Sequence, residues 1–206
     1  MTYRYPDALV IQFAKAPRPG RVKTRMRPEL DDQSCVALHR RLVTYTFDKL
    51  SQTQLCPLEL WVDELHYDGF FSGLRPQRPV RRQCGADLGA RMYHALATAL
   101  ADYQRVVLVG SDCPFLNPGH IEEALARLGA GDDVVLGPAM DGGYVLIGAR
   151  RVDNALFSGV PWGTGGVLAA TRGQLRALAW RWSELPPLAD IDTAADLKLI
   201  QNLENF

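Results

Sequence analysis

The sequence predicts an α/β protein: a three-layer α/β/α sandwich with a mixed, mostly parallel sheet. Three observations lead to this fold class. Short, nearly continuous apolar runs recur along the chain, as is typical of strands covered on both faces. Amphipathic helical patterns separate most of these runs, which is the alternation of an α/β sandwich. An Asp-Gly pair late in the chain predicts a tight hairpin, so one strand is expected to run antiparallel.

The predicted strands follow from the apolar runs. They are Ala8–Ala14, Leu58–Val62 and residues 106–109, 133–138 and 143–148. The last two are joined by Ala-Met-Asp-Gly and form the predicted hairpin. A basic, proline-interrupted stretch at residues 75–82 is interpreted as an exposed connection.

Apolar side chains at helical spacing predict helices at residues 38–45, Leu88–Ala99, 121–128 and 197–203. The third of these has a start signal, with Asn117 as N-cap and proline at the first helical position. Thr193 and Asp196 form a capping-box-like start for the last helix. No internal repeat or long linker interrupts the pattern, so residues 1–206 are expected to form a single domain.

Composition excludes several classes of protein. Lys and Arg together number 23, as do Asp and Glu, so there is no net charge with which to bind nucleic acid. No apolar run is long enough to cross a bilayer, and the N-terminus lacks the apolar core of a signal peptide. The four cysteines show no CxxC spacing. We therefore expect reduced thiols, a cytoplasmic location and no membrane partner. The sequence contains no clear oligomer signal.

The loop after the first strand is rich in cations. It contains Lys15, Arg18, Arg21, Lys23 and Arg25, with Gly20 free to adopt a positive φ angle. Ligands of open α/β sheets bind beyond the carboxyl ends of the strands, where this loop begins. Glycine-turn amides with Lys or Arg side chains suit a polyphosphate, although a solvated basic loop is the alternative. The spacing matches neither the P-loop nor the dinucleotide fingerprint, so this is predicted to be a phosphate loop of another kind.

Asp112 follows the buried strand at residues 106–109, within Gly-Ser-Asp-Cys-Pro. A carboxylate at the end of a buried strand is poorly placed for packing and well placed to hold a divalent cation. Mg²⁺ prefers hard oxygen ligands and often binds through one or two carboxylates plus substrate phosphates. The alternative is that Asp112 caps the turn or the next helix. Cys113 is interpreted as a small filler rather than a nucleophile.

Two further segments contain candidate contacts. Gln83, Asp87 and Arg91 open the helix that begins near Leu88 and could reach a nucleotide, although Asp87 could serve only as the N-cap. Asp141 and Tyr144 flank the hairpin turn and could face an acceptor, although the turn alone accounts for its glycines.

Trp162 and Asp190 complete the set of candidates. Trp162 lies in a glycine-rich stretch and could stack on a substrate or only pack. Asp190 precedes the last helix and is a candidate second metal ligand. The four histidines are scattered and no G-x-S-x-G elbow exists, so a Ser–His–Asp hydrolase is not predicted.

Five segments resemble, in order, the motifs of a known family. They are residues 13–25, 83–92, 109–114, 136–144 and 190–193. The chain is similar to the bacterial DUF2064 proteins, described as glycosyltransferase-A-like or "arsenosugar biosynthesis" glycosyltransferases. It is more distantly similar to phospholactate guanylyltransferases and molybdenum-cofactor guanylyltransferases.

This resemblance implies the nucleotide-diphospho-sugar transferase fold. It also implies that Lys15, Lys23 and Arg25 contact nucleotide phosphates and that Asp112 stands where the superfamily places its metal-binding Asp. One departure is that the Asp-x-Asp motif reads Ser-Asp-Cys at residues 111–113. With a single carboxylate, Asp112 is expected to hold Mg²⁺ or Mn²⁺ jointly with substrate phosphates or Asp190. Another departure is Gly163, where relatives commonly have Ser.

Three functions remain open at the level of sequence. The first is glycosyl transfer from a nucleotide sugar to a small-molecule acceptor, with Asp112 and Asp141 as the catalytic candidates. The second is nucleotidyl transfer, in which an NTP and a phosphorylated acceptor release pyrophosphate. The third is a nucleotide-binding module without turnover. The base, the sugar and the acceptor are not specified by any motif.

Overall fold

A computed structural model describes residues 2–201, 203 and 206, so positions 1, 202, 204 and 205 of the predicted domain lie outside the described residues. Within the described part, seven strands form one sheet. They are β1 (Ala8–Ala14), β2 (Leu58–Val62), β3 (Val80–Arg82), β4 (Arg105–Val109), β5 (Val134–Pro138), β6 (Tyr144–Ala149) and β7 (Trp182–Glu184).

The strand order is β3-β2-β1-β4-β6-β5-β7, and only β6 opposes its neighbours. β1 pairs in parallel with both β2 and β4. β6 runs antiparallel to β4 and β5, because the predicted hairpin turn joins β5 to β6. The mixed, mostly parallel sheet predicted from the sequence is therefore confirmed.

Helices cover both faces of this sheet. They are α1 (Asp32–Ser51), α2 (Phe70–Gly73), α3 (Leu88–Ala99), α4 (Pro118–Gly129), α5 (Val167–Ala177) and α6 (Leu197–Ile200). The predicted start signal of α4 is confirmed, because the Asn117 side chain accepts from the amides of Gly119 and His120. None of the described helices is long and apolar enough to cross a membrane.

Alternate residues of each strand feed two cores. Val10 of β1 packs with Phe47 of α1 and Leu125 of α4 on one face. Its neighbour Ile11 packs on the other face with residues of α3 and α5, such as Leu96. Because successive strand side chains point to opposite faces, both faces of β1 need apolar cover, and this produces the three layers.

Several elements differ from the sequence prediction. The stretch interpreted as an exposed connection contains β3, which pairs in parallel with β2 at the edge of the sheet. α2, α5 and β7 were not predicted at all. The last helix, predicted to reach residue 203, ends at Ile200.

Candidate functional site

The carboxyl ends of β1 and β4 bring the two main predicted site segments together. The two strands are parallel neighbours, so Lys15, directly after β1, and Asp112, shortly after β4, follow the same edge of the sheet. The hairpin turn with Asp141 extends from the same edge, because it follows β5 and precedes the antiparallel β6. A bridge between Ala139 and Leu188 places the segment before Asp190 beside that turn.

Asp112 is paired with a buried lysine. The Nζ atom of Lys23 lies 2.6 Å from Oδ1 of Asp112, and it also donates to the carbonyl of Ile191 at 2.6 Å. The Lys23 side chain is 3% exposed and the Asp112 side chain 50% exposed. The amide of Ile191 donates to the Asp112 carbonyl at 2.9 Å, so the three residues form a closed unit.

The backbone around Lys23 explains how this side chain reaches the interior. Lys23 has φ +50° and directly precedes a one-turn helix at Thr24–Met26. Val22 and Met26 on either side of it are buried. The thiol of Cys35 in α1 donates to the Lys23 carbonyl at 3.4 Å. Packing therefore fixes this part of the basic loop and directs its lysine inward.

Asp190, next to Ile191 in the chain, senses the charges of Asp112 and of two further carboxylates, Asp141 and Asp192. Burial acts to raise the pKa of Asp112, but Lys23, His39 and Lys15 outweigh it and hold that pKa below its ordinary value. Burial raises the pKa of Asp190 to about 6, and the charges of Asp141, Asp192 and Asp112 add to that rise. Asp190 therefore lies near other carboxylates whose charges favour its protonated form.

Carboxylate oxygens such as those of Asp112 and Asp190 are hard donors of the kind that a divalent cation prefers. Among residues 2–201, 203 and 206, no group of three or more Asp, Glu, His or Cys side chains is close enough to enclose a metal. One oxygen of Asp112 is already occupied by Lys23. A metal at this edge would therefore need ligands from its substrate in addition to Asp112 and Asp190, as Mg²⁺ commonly does.

Apart from Lys23, the cations of the basic loop fall into two groups. Arg18 pairs with Glu64 and stacks over Tyr67, and Arg25 donates to Asp192 at 2.6 Å and to the Gly163 carbonyl at 2.8 Å. Lys15 and Arg21 are exposed and form no ion pair within the described part of the chain. Gly20, which lies between Arg18 and Arg21 in the chain, has φ +73°, a backbone conformation that glycine adopts readily. Lys15 and Arg21 are thus the loop cations left for an anionic ligand.

Two residues that the sequence did not single out anchor the start of this loop. Nε2 of His39 lies 2.9 Å from the Lys15 carbonyl, and burial lowers the pKa of His39, so the neutral ring donates its Nε2–H to that oxygen. Oδ1 of Asp63, directly after β2, accepts from the Ala16 amide at 2.6 Å. Both partners are distant in sequence, and no motif marks either one.

The segment before α3 has mainly internal contacts. The side-chain amide of Gln83 is buried and donates to the carbonyls of Ala14 and Trp61, so it braces β1 against β2. Asp87 is the N-cap of α3, accepting from the Ala90 amide at 2.8 Å. Arg91 Nε donates to the Gly85 carbonyl at 3.3 Å. Nucleotide contacts by these residues stay predictions.

The glycine-rich stretch around Trp162 packs against the first turn of α3 and the start of β6. The Trp162 indole packs on Gly89, where a Cβ atom would lie 2.6 Å from Nε1, and it meets the Tyr144 ring edge-on. The Tyr144 hydroxyl is buried beside Thr171, and burial raises the pKa of Tyr144, which keeps it protonated. The acceptor contacts predicted for both aromatic residues stay predictions, and their observed contacts are packing.

Cys113 is buried, and its thiol donates to the Ala189 carbonyl at 3.2 Å. Burial raises the pKa of Cys113 to about 11, so the thiol stays protonated at neutral pH. A buried thiol with a raised pKa is a packing group rather than a nucleophile, in keeping with its interpretation as a filler.

Comparison with solved structures identifies this arrangement as the nucleotide-diphospho-sugar transferase fold. A crystal structure from Desulfovibrio desulfuricans, of a protein classed with the nucleotide-diphospho-sugar transferases, matches with a TM-score of 0.87 and 34% identity, covering 97% of this chain and 89% of that one. The profile of DUF2064, described as an uncharacterized protein conserved in bacteria, matches residues 46–164. The chain belongs to the DUF2064 family.

More distant structures share the fold alone. CMP:2-keto-3-deoxy-manno-octonic acid synthetase, solved with CTP, matches with a TM-score of 0.60 and 11% identity over 94% of this chain and 96% of that one. A Mycobacterium tuberculosis protein solved with manganese matches with a TM-score of 0.57 and 18% identity over 95% and 98%. No curated protein matches the sequence.

Proposed function

We propose that the protein is a transferase for a nucleotide-activated substrate and that it transfers a glycosyl group from a nucleotide-diphospho-sugar to a small-molecule acceptor. One observation carries the proposal: Lys15 has no ion-pair partner among the described residues, yet its charge acts on Asp112. An unpaired ammonium beside clustered carboxylates suits a ligand that brings phosphates and a divalent cation together. The class of the 34% identical relative supports the sugar-nucleotide donor.

In this proposal the donor's diphosphate lies between the basic loop and Asp112. Lys15 and Arg21 bind its oxygens, and Asp112 and Asp190 are the residues that would hold Mg²⁺ or Mn²⁺. The ion, when bound, would neutralise negative charge that develops on the departing diphosphate. The bond from the anomeric carbon to the diphosphate oxygen breaks, and its electron pair leaves with the diphosphate.

The acceptor's oxygen then forms the new bond to the anomeric carbon, and its proton goes to Asp141. Asp141 is exposed, and its Oδ1 accepts from the Gly143 amide at 2.8 Å, which leaves Oδ2 for the acceptor. A carboxylate held by one backbone hydrogen bond is an oriented base. This assignment makes Asp141 the group that handles the acceptor, while Asp112 acts on the donor.

The supply of cations favours a second candidate, nucleotidyl transfer. Lys15 and Arg21 add two charges to the Lys23 ammonium, which suits a triphosphate at least as well as a diphosphate. The acceptor's phosphate oxygen would then attack the α-phosphorus of an NTP. Pyrophosphate would leave with the electron pair of the broken phosphorus–oxygen bond.

A thermal-shift screen of NTPs and nucleotide sugars, with and without Mg²⁺ or Mn²⁺, tests the shared part of both candidates. A ligand at 100 times its Kd stabilises the folded state by about 2.7 kcal/mol, which for a chain of this size raises Tm by roughly 5–10 °C. Release of a nucleoside diphosphate from a nucleotide sugar supports glycosyl transfer. Pyrophosphate release from an NTP supports nucleotidyl transfer instead.

Asp112→Asn tests the role of the carboxylate, with Asp102→Asn as the matched control. Asp102 is exposed and precedes β4, at the opposite edge of the sheet. We expect Asp112→Asn to abolish metal-dependent turnover while keeping the fold, and Asp102→Asn to retain it. Nucleotide binding without turnover in wild type would favour a binding module. A screen with no metal-dependent shift for any nucleotide would refute the proposed function.

A further inference from the structure

The ammonium of Lys23 occupies one of the positions that a metal on Asp112 would use. It lies 2.6 Å from Oδ1 of Asp112, on a side chain that is 3% exposed. Its second partner, the Ile191 carbonyl, is neutral and also 2.6 Å away. An ammonium has three donors, so one remains for a further acceptor. Lys23 can therefore move its charge from Asp112 to a ligand while it stays anchored to Ile191.

We propose that Lys23 is a built-in counter-cation that competes with divalent metal for Asp112, so that metal binds tightly only when nucleotide phosphates draw the ammonium away; this rests on the proposed function. Two cations on one carboxylate oxygen repel each other at short range. Mg²⁺ also demands near-ideal geometry from its ligands and tolerates a displaced carboxylate poorly. Without metal, the ammonium of Lys23 thereby balances the charge of Asp112.

The other cations of the basic loop cannot play this part. Arg18 and Arg25 are committed to Glu64 and Asp192. Lys15 acts on Asp112 only through its charge, and the side chains of Lys15 and Arg21 are exposed. Lys23 alone combines burial, contact with Asp112 and a backbone fixed by the one-turn helix that follows it.

Competition of this kind couples the two ligands. If nucleotide raises the affinity for metal by a given factor, metal raises the affinity for nucleotide by the same factor. The free enzyme is therefore expected to bind metal weakly, and the complex with nucleotide to bind it tightly. Removing the ammonium should raise metal affinity in the absence of nucleotide.

The test measures Mn²⁺ binding to the intact protein without nucleotide, by the electron paramagnetic resonance signal of free Mn²⁺. Lys23→Gln keeps a donor for the Ile191 carbonyl and removes the charge. We expect it to bind Mn²⁺ at least tenfold more tightly than wild type. Lys23→Arg keeps the charge and should bind Mn²⁺ as weakly as wild type, while Asp112→Asn should lose the site.

Lys49→Gln is the matched control. Lys49 is half-buried, and like Lys23 it donates to a backbone carbonyl, that of Pro114 at 2.8 Å, but it has no carboxylate partner among the described residues. Its Mn²⁺ affinity should equal that of wild type. A thermal unfolding transition for each variant establishes that it is folded. If Lys23→Gln does not fold, the Mn²⁺ affinity of Lys23→Arg, which keeps the charge, is compared with that of wild type.

Equal or weaker Mn²⁺ binding by Lys23→Gln overturns the proposal. So does Lys23→Arg binding Mn²⁺ tenfold more tightly than wild type. Neither result affects the proposed function, which is read separately from the nucleotide-dependent thermal shift of wild type. Conversely, tighter Mn²⁺ binding by Lys23→Gln without any nucleotide shift in wild type would support the competition and refute the proposed function.

Discussion

Gly142 controls how closely the hairpin turn approaches the glycine-rich stretch, and its replacement by alanine is a sharp test of the site's architecture. Gly142 has φ +91°, and an added Cβ would lie well inside 3.0 Å of the Gly165 carbonyl oxygen. The Gly142 carbonyl also accepts from the Leu168 amide at 2.9 Å, near the start of α5. Replacing Gly142 by alanine therefore has three effects: backbone strain, a steric clash and a weakened hydrogen bond.

The expected cost can be built from these effects. Holding an alanine at a left-handed φ costs about 1–2 kcal/mol. Separation of the two backbones, which the clash forces, lengthens the hydrogen bond from Leu168 to Gly142, which is worth about 1 kcal/mol. Gly142→Ala should therefore lower the free energy of unfolding by roughly 2–3 kcal/mol.

Gly163→Ala is the matched control, because Gly163 has φ +80° but nothing within 4 Å of its added Cβ. It should cost only the backbone strain, about 1–2 kcal/mol. Urea unfolding at equilibrium, followed by circular dichroism, measures both variants. If Gly142→Ala costs no more than Gly163→Ala, the close approach of the two segments is not as described and the reasoning fails.

Two further predictions concern charge. Lys15→Ala should weaken nucleotide binding about tenfold in titration calorimetry, because a charge-assisted hydrogen bond to phosphate is lost. Arg18→Ala should change nucleotide binding little, because Arg18 already pairs with Glu64. Equal losses of affinity in the two variants would contradict the division of the loop into paired and unpaired cations. Arg105 donates to both oxygens of Asp7 and lowers its pKa below 3.8. The pair therefore stabilises the fold above about pH 4 and loses that effect as the pH falls through the folded-state pKa of Asp7. In urea titrations, Asp7→Asn should lower the free energy of unfolding by about 0.5–1 kcal/mol at pH 7 and by progressively less below pH 4. A difference that does not depend on pH would argue against the ion pair.

Most of the sheet could be predicted because its central strands are buried on both faces. Ala8–Ala14 is fully buried along its length, so nearly every position had to be apolar and the run was visible. β7 is only half-buried over three residues, which leaves no such run. α5 begins after Gly166, with no side-chain cap to mark its start. Short elements at the edge of a sheet depend on tertiary packing, which a local sequence pattern does not reveal.

The candidate site also has one part that could be predicted from the sequence and one part that could not. That Lys15 and Asp112 follow one edge could be predicted, because parallel neighbouring strands end on the same side. That Lys23 turns inward to Asp112 could not, since a loop of five cations looks uniform in sequence. Its inward path depends on the buried Met26 and on the Ile191 carbonyl, which comes from far along the chain.

The contact between Lys23 and Ile191 also has a consequence for biosynthesis. These residues are separated by 168 positions, and Arg25 and Asp192 by 167. A ribosome releases the chain from its N-terminus, so a growing polypeptide can form β1, β2 and β4 well before the partner of its lysine has been made. This edge of the sheet can therefore be completed only after Ile191 and Asp192 have been made, and until then the basic loop lacks the partners of Lys23 and Arg25 in that segment.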